Sequence, residues 1–189
     1  PWLNLQRKGV EVRMIEAGEG RLLSVDDYRE ACDETTRAIA VSWVQYSTGQ
    51  RMDVAGLAEV AREFGAYLVV DGIQGLGALA ADVGEMGADI LCAEGHKWLL
   101  SAEGGGLMYV SDRIVGDLQP FWRGWTSVPE PLDFGTHDQP ARDDARRFEE
   151  GSGNILGAAA LDASAGLLLE VGMAEVERRV IALTDLLIE

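Results

Sequence analysis

Short apolar runs, each closed by glycine or a charged group, alternate along this chain with stretches in which apolar residues recur every three to four positions. Residues 67–70 (YLVV) and 90–93 (ILCA) are too short for a globular helix and rich in branched side chains, so they predict strands buried on both faces. Residues 38–44 predict a third such strand. Residues 10–15 behave differently: Val10, Val12 and Met14 alternate with Glu11 and Arg13, which predicts a strand with one solvated face at or near a sheet edge. Between residues 67–70 and 90–93 lies a small-residue stretch, 75–89, long enough for a crossover, so those two strands should run parallel and close together. Residues 107–110 predict a further strand, and the loop before it is too short for a helical crossover, so it should run antiparallel.

Helical periods fill the gaps. Ser24 and Asp27 make a start resembling a capping box for a short helix reaching about Cys32. Asp53 caps a second helix, in which Leu57, Val60, Ala61 and Phe64 share a face and Gly65 supplies the stop. An alanine-rich helix over 155–169 follows Gly151 and Asn154, and a last helix from near Met173 places Val176, Val180, Leu183 and Leu187 on one side. Residues 119–150 are punctuated by Pro120, Pro129, Pro131 and Pro140 and carry Trp122 and Trp125. Long irregular excursions of this kind are usually functional or interface loops, and the two tryptophans read as packing or dimer contacts. The sum is an α/β fold of three layers, αβα, with a mainly parallel sheet and one antiparallel strand, in a single domain over residues 1–189.

Composition adds limits. The chain has 189 residues and a formal charge of −16, with a pI near 4.4. That balance disfavours sequence-independent attraction to nucleic acid or to anionic membranes. No apolar run reaches the length of a membrane span, and no basic segment followed by an apolar one marks a signal peptide. Two cysteines, Cys32 and Cys92, are too few for a disulfide scaffold. Cys92 sits in a strand expected to be buried, so a reducing cytoplasm fits best. No metal site is expected.

Ligands of open α/β sheets bind beyond the carboxyl ends of the strands, and there the sequence places an acid, Asp71, and an amine, Lys97. The full signals are Asp71-Gly72-Ile73-Gln74 and Glu94-Gly95-His96-Lys97-Trp98. In this order and at these strand ends they resemble the class V aminotransferase family of pyridoxal-phosphate enzymes of fold type I, which includes cysteine desulfurases, kynureninase and isopenicillin-N-epimerase-like proteins. The resemblance implies that Lys97 holds the cofactor aldehyde as a Schiff base and later moves the α-proton of an amino-acid substrate. It implies that Asp71 pairs with the pyridine nitrogen, Gln74 reaches the phenolic oxygen and His96 helps bind the phosphate. Ser152 and Asn154 match the loop that approaches the neighbouring subunit's phosphate in the family's homodimers. The chemistry agrees with these roles: a carboxylate beside the ring nitrogen keeps that nitrogen protonated, and an amine must be partly neutral to attack an aldehyde.

Several positions depart from the family pattern. Glu94 stands where desulfurases carry Ser or Thr as a phosphate ligand, and its charge would repel phosphate. Trp43 stands where relatives often have His or Asn, and an indole can pack but cannot accept a hydrogen bond. Gly153 replaces a frequent proline. Neither cysteine falls in a mobile loop where a desulfurase thiol is needed. These departures rank aminotransferase or epimerase-like activity above a cysteine desulfurase-like lyase. A reading from another class is a cofactor-free α/β binding or interaction domain, or an inactive fragment. A dinucleotide-binding dehydrogenase is set aside, because Gly75-Leu76-Gly77 follows the acid and lacks the required glycine spacing. The resemblance also implies the central part of a large domain, with the family's N-terminal phosphate-loop region and C-terminal small domain outside residues 1–189.

Overall fold

The computed structural model describes residues 1–188 and places four strands in one sheet of order β1-β2-β3-β4. Strand β1 (Ala38–Ser42) pairs parallel with β2 (Tyr67–Asp71), and β2 pairs parallel with β3 (Ile90–Glu94). Strand β4 (Gly106–Val110) pairs antiparallel with β3, as the short preceding loop requires. The mixed sheet therefore has the mainly parallel topology with a single antiparallel pair read from the sequence.

Helix α1 (Val25–Ala31) starts with a complete capping box, in which the Ser24 hydroxyl takes the Asp27 N–H and the Asp27 carboxylate takes the Ser24 N–H. Helix α2 (Val54–Glu63) starts at Asp53, whose carboxylate accepts from Gly56 N–H at 2.9 Å, and it stops before Gly65. Its buried face, Val54, Leu57, Ala58, Val60 and Ala61, meets Ile39, Val41, Leu68, Val70 and Leu91 from alternate positions of three strands. Each fully buried aliphatic side chain here contributes about 1.5–3 kcal/mol relative to exposure. That core fixes the strand register, because a one-residue slip would turn Leu68 and Val70 to the other face.

The connection from β2 to β3 is mostly turns, with a single short helix α3 (Val83–Met86) capped by Asp82. At the far end of β3, Asp89 is buried and accepts from Leu68 N–H at 2.8 Å and from Arg113, which joins the start of β2 to the segment after β4. Helices α4 (Ile155–Val171) and α5 (Met173–Ile188) follow the long excursion. They pack through Leu161, Leu168, Met173 and Val176 against Ala93 and Leu99. Glu177 of α5 accepts from Ala80 N–H at 2.8 Å and pairs with Arg51 at 2.7 Å, which ties α5 to the carboxyl side of the sheet.

Two expectations are corrected. Residues 10–15 form no strand: they follow a 3-10 helix over Trp2–Lys8 and lie as irregular chain, with Arg13 held by Glu11, Asp33 and the Ala31 carbonyl. Apolar alternation needs a strand partner, and these residues have none. Nor are the central strands buried on both faces. On the face opposite α2, Val110, Ile114 and Val115 with Tyr67, Ile90 and Phe148 cover one end of the sheet, while Ala40, Cys92 and Met108 beyond them are exposed. Cys92 is thus a surface residue of that face.

Candidate active site

The carboxyl ends of β2 and β3 lie side by side, with Asp71 in register with Cys92, so the turns that follow the two strands share one edge of the sheet. Asp71 is exposed at that edge, and one carboxylate oxygen takes the Ile73 N–H at 3.0 Å, an Asx-type turn that starts the 72–76 loop. Hydrogen bonds from Gly75 N–H and Leu76 N–H to the Gly72 carbonyl, at 2.9 and 2.8 Å, complete the turn. The carboxylate's remaining oxygen is open to a cationic partner.

Gln74 is half-buried, and its amide oxygen accepts from the Trp98 indole N–H at 3.2 Å. Glycine is required twice on this loop. A Cβ on Gly75 would lie 2.1 Å from the Trp43 ring, and a Cβ on Gly77, whose φ is +89°, would lie 2.2 Å from the Trp98 carbonyl oxygen. Trp43 is itself buried under Arg51, whose guanidinium carbon is 5.8 Å from the ring centroid. The indole therefore supports the Asp71 turn from beneath, as the packing role expected of it requires.

Lys97 and His96 are both half-buried in the turn after β3. That turn is tight: Leu100 N–H bonds the Lys97 carbonyl at 3.0 Å, and Leu100 adopts φ +58°, left-handed backbone that costs a branched residue about 1–3 kcal/mol. Glu94, at the end of β3, does not stand free as a repulsive charge. One oxygen accepts from Gly104 N–H at 3.0 Å, and the other lies 3.3 Å from His96 Nδ1. The His96 Nδ1 atom has no aligned hydrogen-bond partner, so this second contact is one of proximity.

Asn154 and Ser152 sit apart from Asp71 and Lys97 in their bonding. Asn154 caps α4 through Gly157 N–H at 3.0 Å, and its amide nitrogen donates to the Gly104 carbonyl at 3.0 Å. Both ends of its side chain are thereby engaged within the chain. Ser152 is exposed on the loop before α4. The structure thus gathers Asp71, Gln74, His96 and Lys97 on two stitched loops, and it brings Asn154 to them through Gly104. Sequence reasoning missed Trp98 as the stitch and Gly104 as the meeting point; the indole next to the lysine and the run Gly104-Gly105-Gly106 were the available signals.

The thiols are poorly suited to nucleophilic work. Burial by the strands beneath pushes the Cys92 thiol up, with the Asp71 charge adding to the effect, even though one side of the residue is open to solvent. Burial also raises the Cys32 thiol. Among the described residues no cluster of His, Cys, Asp and Glu has the arrangement of a metal site, and no single helix is long and apolar enough to cross a membrane.

The chain is similar to known proteins. A probable cysteine desulfurase of Methanothermobacter thermautotrophicus is 33% identical over 98% of this chain and 46% of its own length. A kynureninase of Deinococcus radiodurans is 28% identical over 92% of this chain and 42% of its own. Among solved structures, the apo cysteine desulfurase of Thermococcus onnurineus superimposes with a TM-score of 0.81 at 26% identity, covering 94% of this chain and 44% of that one. The chain therefore spans about half the length of the curated relatives it matches. The aminotransferase class-V family model matches residues 1–189, and this chain belongs to the aminotransferase class-V family.

Proposed function

We propose that this chain carries the central half-site of a pyridoxal-phosphate-dependent enzyme that acts on an amino acid through Lys97. The observation that carries the reading is the placement of Asp71 at the carboxyl end of β2 and of Lys97 on the turn after the adjacent parallel strand β3, with the turns that follow the two strands joined by the Trp98–Gln74 hydrogen bond. The residues fit the group. Asp71 keeps an oxygen free for a protonated ring nitrogen, Gln74 keeps its amide N–H groups free for a phenolic oxygen, and His96 lies beside the lysine on the same turn. When bound, pyridoxal phosphate supplies an electron sink for carbanion chemistry at the substrate α-carbon. Lys97 would hold the cofactor's aldehyde carbon and carry a proton to or from the substrate at Nζ, while Asp71 fixes the ring's charge and orientation. Ser152 and Asn154 are retained as residues near the cofactor phosphate in an assembled dimer, with Asn154 acting there through the Gly104 loop it holds.

Aminotransferase or epimerase-like chemistry is favoured over a cysteine desulfurase-like lyase on Glu94, which stands where the resembled desulfurases carry Ser or Thr; Cys32 and Cys92, both pushed up by burial, do not themselves supply the reactive thiol of a desulfurase. The desulfurase reading keeps support from the names of the relatives. A homodimer is also proposed. Phe121, Trp122, Leu132 and Phe134 in the excursion and Ile155 and Leu156 on α4 are all more than 60% exposed. A cytoplasmic location is part of the same proposal.

The test is spectroscopic. Adding pyridoxal phosphate should give a visible absorbance band that is absent in Lys97→Ala, and a band of equal intensity in the variant would overturn the assignment of Lys97.

A further inference from the structure

Glu94 occupies the position at which this chain departs from the desulfurase pattern, yet one of its oxygens is bonded within the chain and the other lies beside His96. Oε1 accepts from Gly104 N–H at 3.0 Å, and Oε2 lies 3.3 Å from His96 Nδ1. The same neck carries two backbone bonds, Gly95 N–H to the Gly105 carbonyl at 2.6 Å and Ser101 N–H to the Gly95 carbonyl at 2.9 Å. A Cβ on Gly95 would lie 2.8 Å from the Ser101 Cβ and 2.9 Å from the Gly105 carbonyl oxygen, so the two sides of the neck are in direct contact. Residues 95–105 are thus a closed loop with Lys97 on it and the left-handed Leu100 inside it. On its outer side the Gly104 carbonyl accepts from Asn154 Nδ2 at 3.0 Å, which docks the loop on the start of α4.

Of these bonds, the Glu94–Gly104 bond is the one made by a side chain that lies on the same strand as the lysine turn. A left-handed leucine relaxes unless its surroundings over-determine it. Opening the neck would let the 97–100 turn unwind and swing the Lys97 amine. We propose that Glu94 is a positioning residue for Lys97: its carboxylate closes the neck of the lysine loop and fixes the turn that carries the amine. This inference rests on the assignment of Lys97 made above. It also gives the acidic residue a task that does not involve contact with phosphate, which a carboxylate would repel.

Glu94→Gln keeps a carbonyl oxygen able to accept from Gly104 N–H, whereas Glu94→Ala keeps none. The measurement is the rate of covalent attachment of pyridoxal phosphate to Lys97, trapped with borohydride at increasing cofactor concentration in the full chain. In Glu94→Ala the limiting rate should fall roughly tenfold to a hundredfold, the cost of a misplaced reacting group. The half-saturation concentration should change less than about twofold, and Glu94→Gln should restore most of the rate, because the alanine removes the side-chain bond of the neck and no cofactor contact. A merely structural role would move half-saturation and the melting temperature together with the rate, and that result overturns the proposal. So does a glutamine variant as slow as alanine, or an alanine variant as fast as wild type. Amide hydrogen exchange in the cofactor-free protein separates this inference from the functional reading. If wild type never attaches the cofactor, the functional reading fails. The neck then stands if Gly104 and Ser101 lose protection in Glu94→Ala and keep it in Glu94→Gln, and it falls if protection is unchanged in the alanine variant.

Discussion

The Trp98 indole N–H donates to the Gln74 amide oxygen at 3.2 Å, across 24 positions of sequence, and so joins the loop that carries Lys97 to the loop that carries Asp71. An indole nitrogen can only donate, so the amide must present its oxygen to Trp98 and its NH₂ elsewhere. The bond therefore orients Gln74 as a donor toward the cofactor side. Trp98→Phe keeps most of the ring and removes the donor. It should cost about 1 kcal/mol or less, given that the indole is 42% exposed, and the midpoint of urea unfolding reads this directly.

The same seam predicts a far larger effect at Gly77. A methyl group there would meet the Trp98 carbonyl oxygen at 2.2 Å, on a backbone of φ +89° that alanine tolerates poorly. Gly77→Ala should destabilise the chain by about 2–5 kcal/mol, from steric overlap and left-handed strain together. Chemical denaturation of the variant checks it, with Gly116→Ala as a control, since a Cβ on Gly116 meets nothing within 4 Å.

Asp89 is 2% exposed and receives the Leu68 N–H and two Arg113 nitrogens, so the arginine is its ion-pair partner. Arg113→Ala leaves a buried carboxylate with a single backbone donor. The penalty for breaking a buried pair is about 3–5 kcal/mol, lowered here to about 2–3 because the Arg113 side chain is 52% exposed. Asp89→Asn, which keeps an acceptor and removes the charge, should cost less when combined with Arg113→Ala than Arg113→Ala costs alone. A double-mutant cycle in denaturant measures the difference.

Acid should loosen α1 and the segment that follows it. Arg21 and the Ser24 N–H hold the Asp27 carboxyl well below the usual carboxylate range, and Thr35 and Arg13 do the same for Asp33. A depressed folded-state pKa means that the unfolded chain binds the proton more readily, so this stabilisation is present above about pH 4 and is lost as pH falls further. Asp27→Asn should therefore be less stable than wild type at pH 6, and the two should converge toward pH 2. Urea midpoints taken across that range give the comparison, and parallel curves would contradict it.

Much of this architecture was legible in local pattern. The runs 67–70 and 90–93 became β2 and β3 because branched residues with no room for a helix turn have few alternatives, and Ser24 and Asp53 announced their helices through side-chain caps. Asp71 and Lys97 could be placed from the strand ends, whereas Gln74 and His96 were singled out by the resemblance to the class V family. What local pattern could not supply was partnership. The alternation of Val10, Val12 and Met14 is real, but no neighbouring strand exists to convert it into a sheet edge. Cys92 looked buried from its own run, whereas its exposure depends on what covers the second face of the sheet. Asn154 has the side chain of a phosphate ligand and of a helix cap alike; its cap bond to Gly157 is local, whereas its bond to Gly104, 50 positions away, is a fact of packing.

The central claim is that Lys97 and Asp71 form one cofactor half-site, and peptide mapping after borohydride reduction in the presence of pyridoxal phosphate tests it most directly. The account predicts that the reduced cofactor is found on the peptide containing Lys97, and that Asp71→Asn lowers the yield by about tenfold or more through loss of the charge facing the ring nitrogen. Label distributed over Lys8 and Lys97 alike, or an undiminished yield at Lys97 in the Asp71 variant, would contradict it.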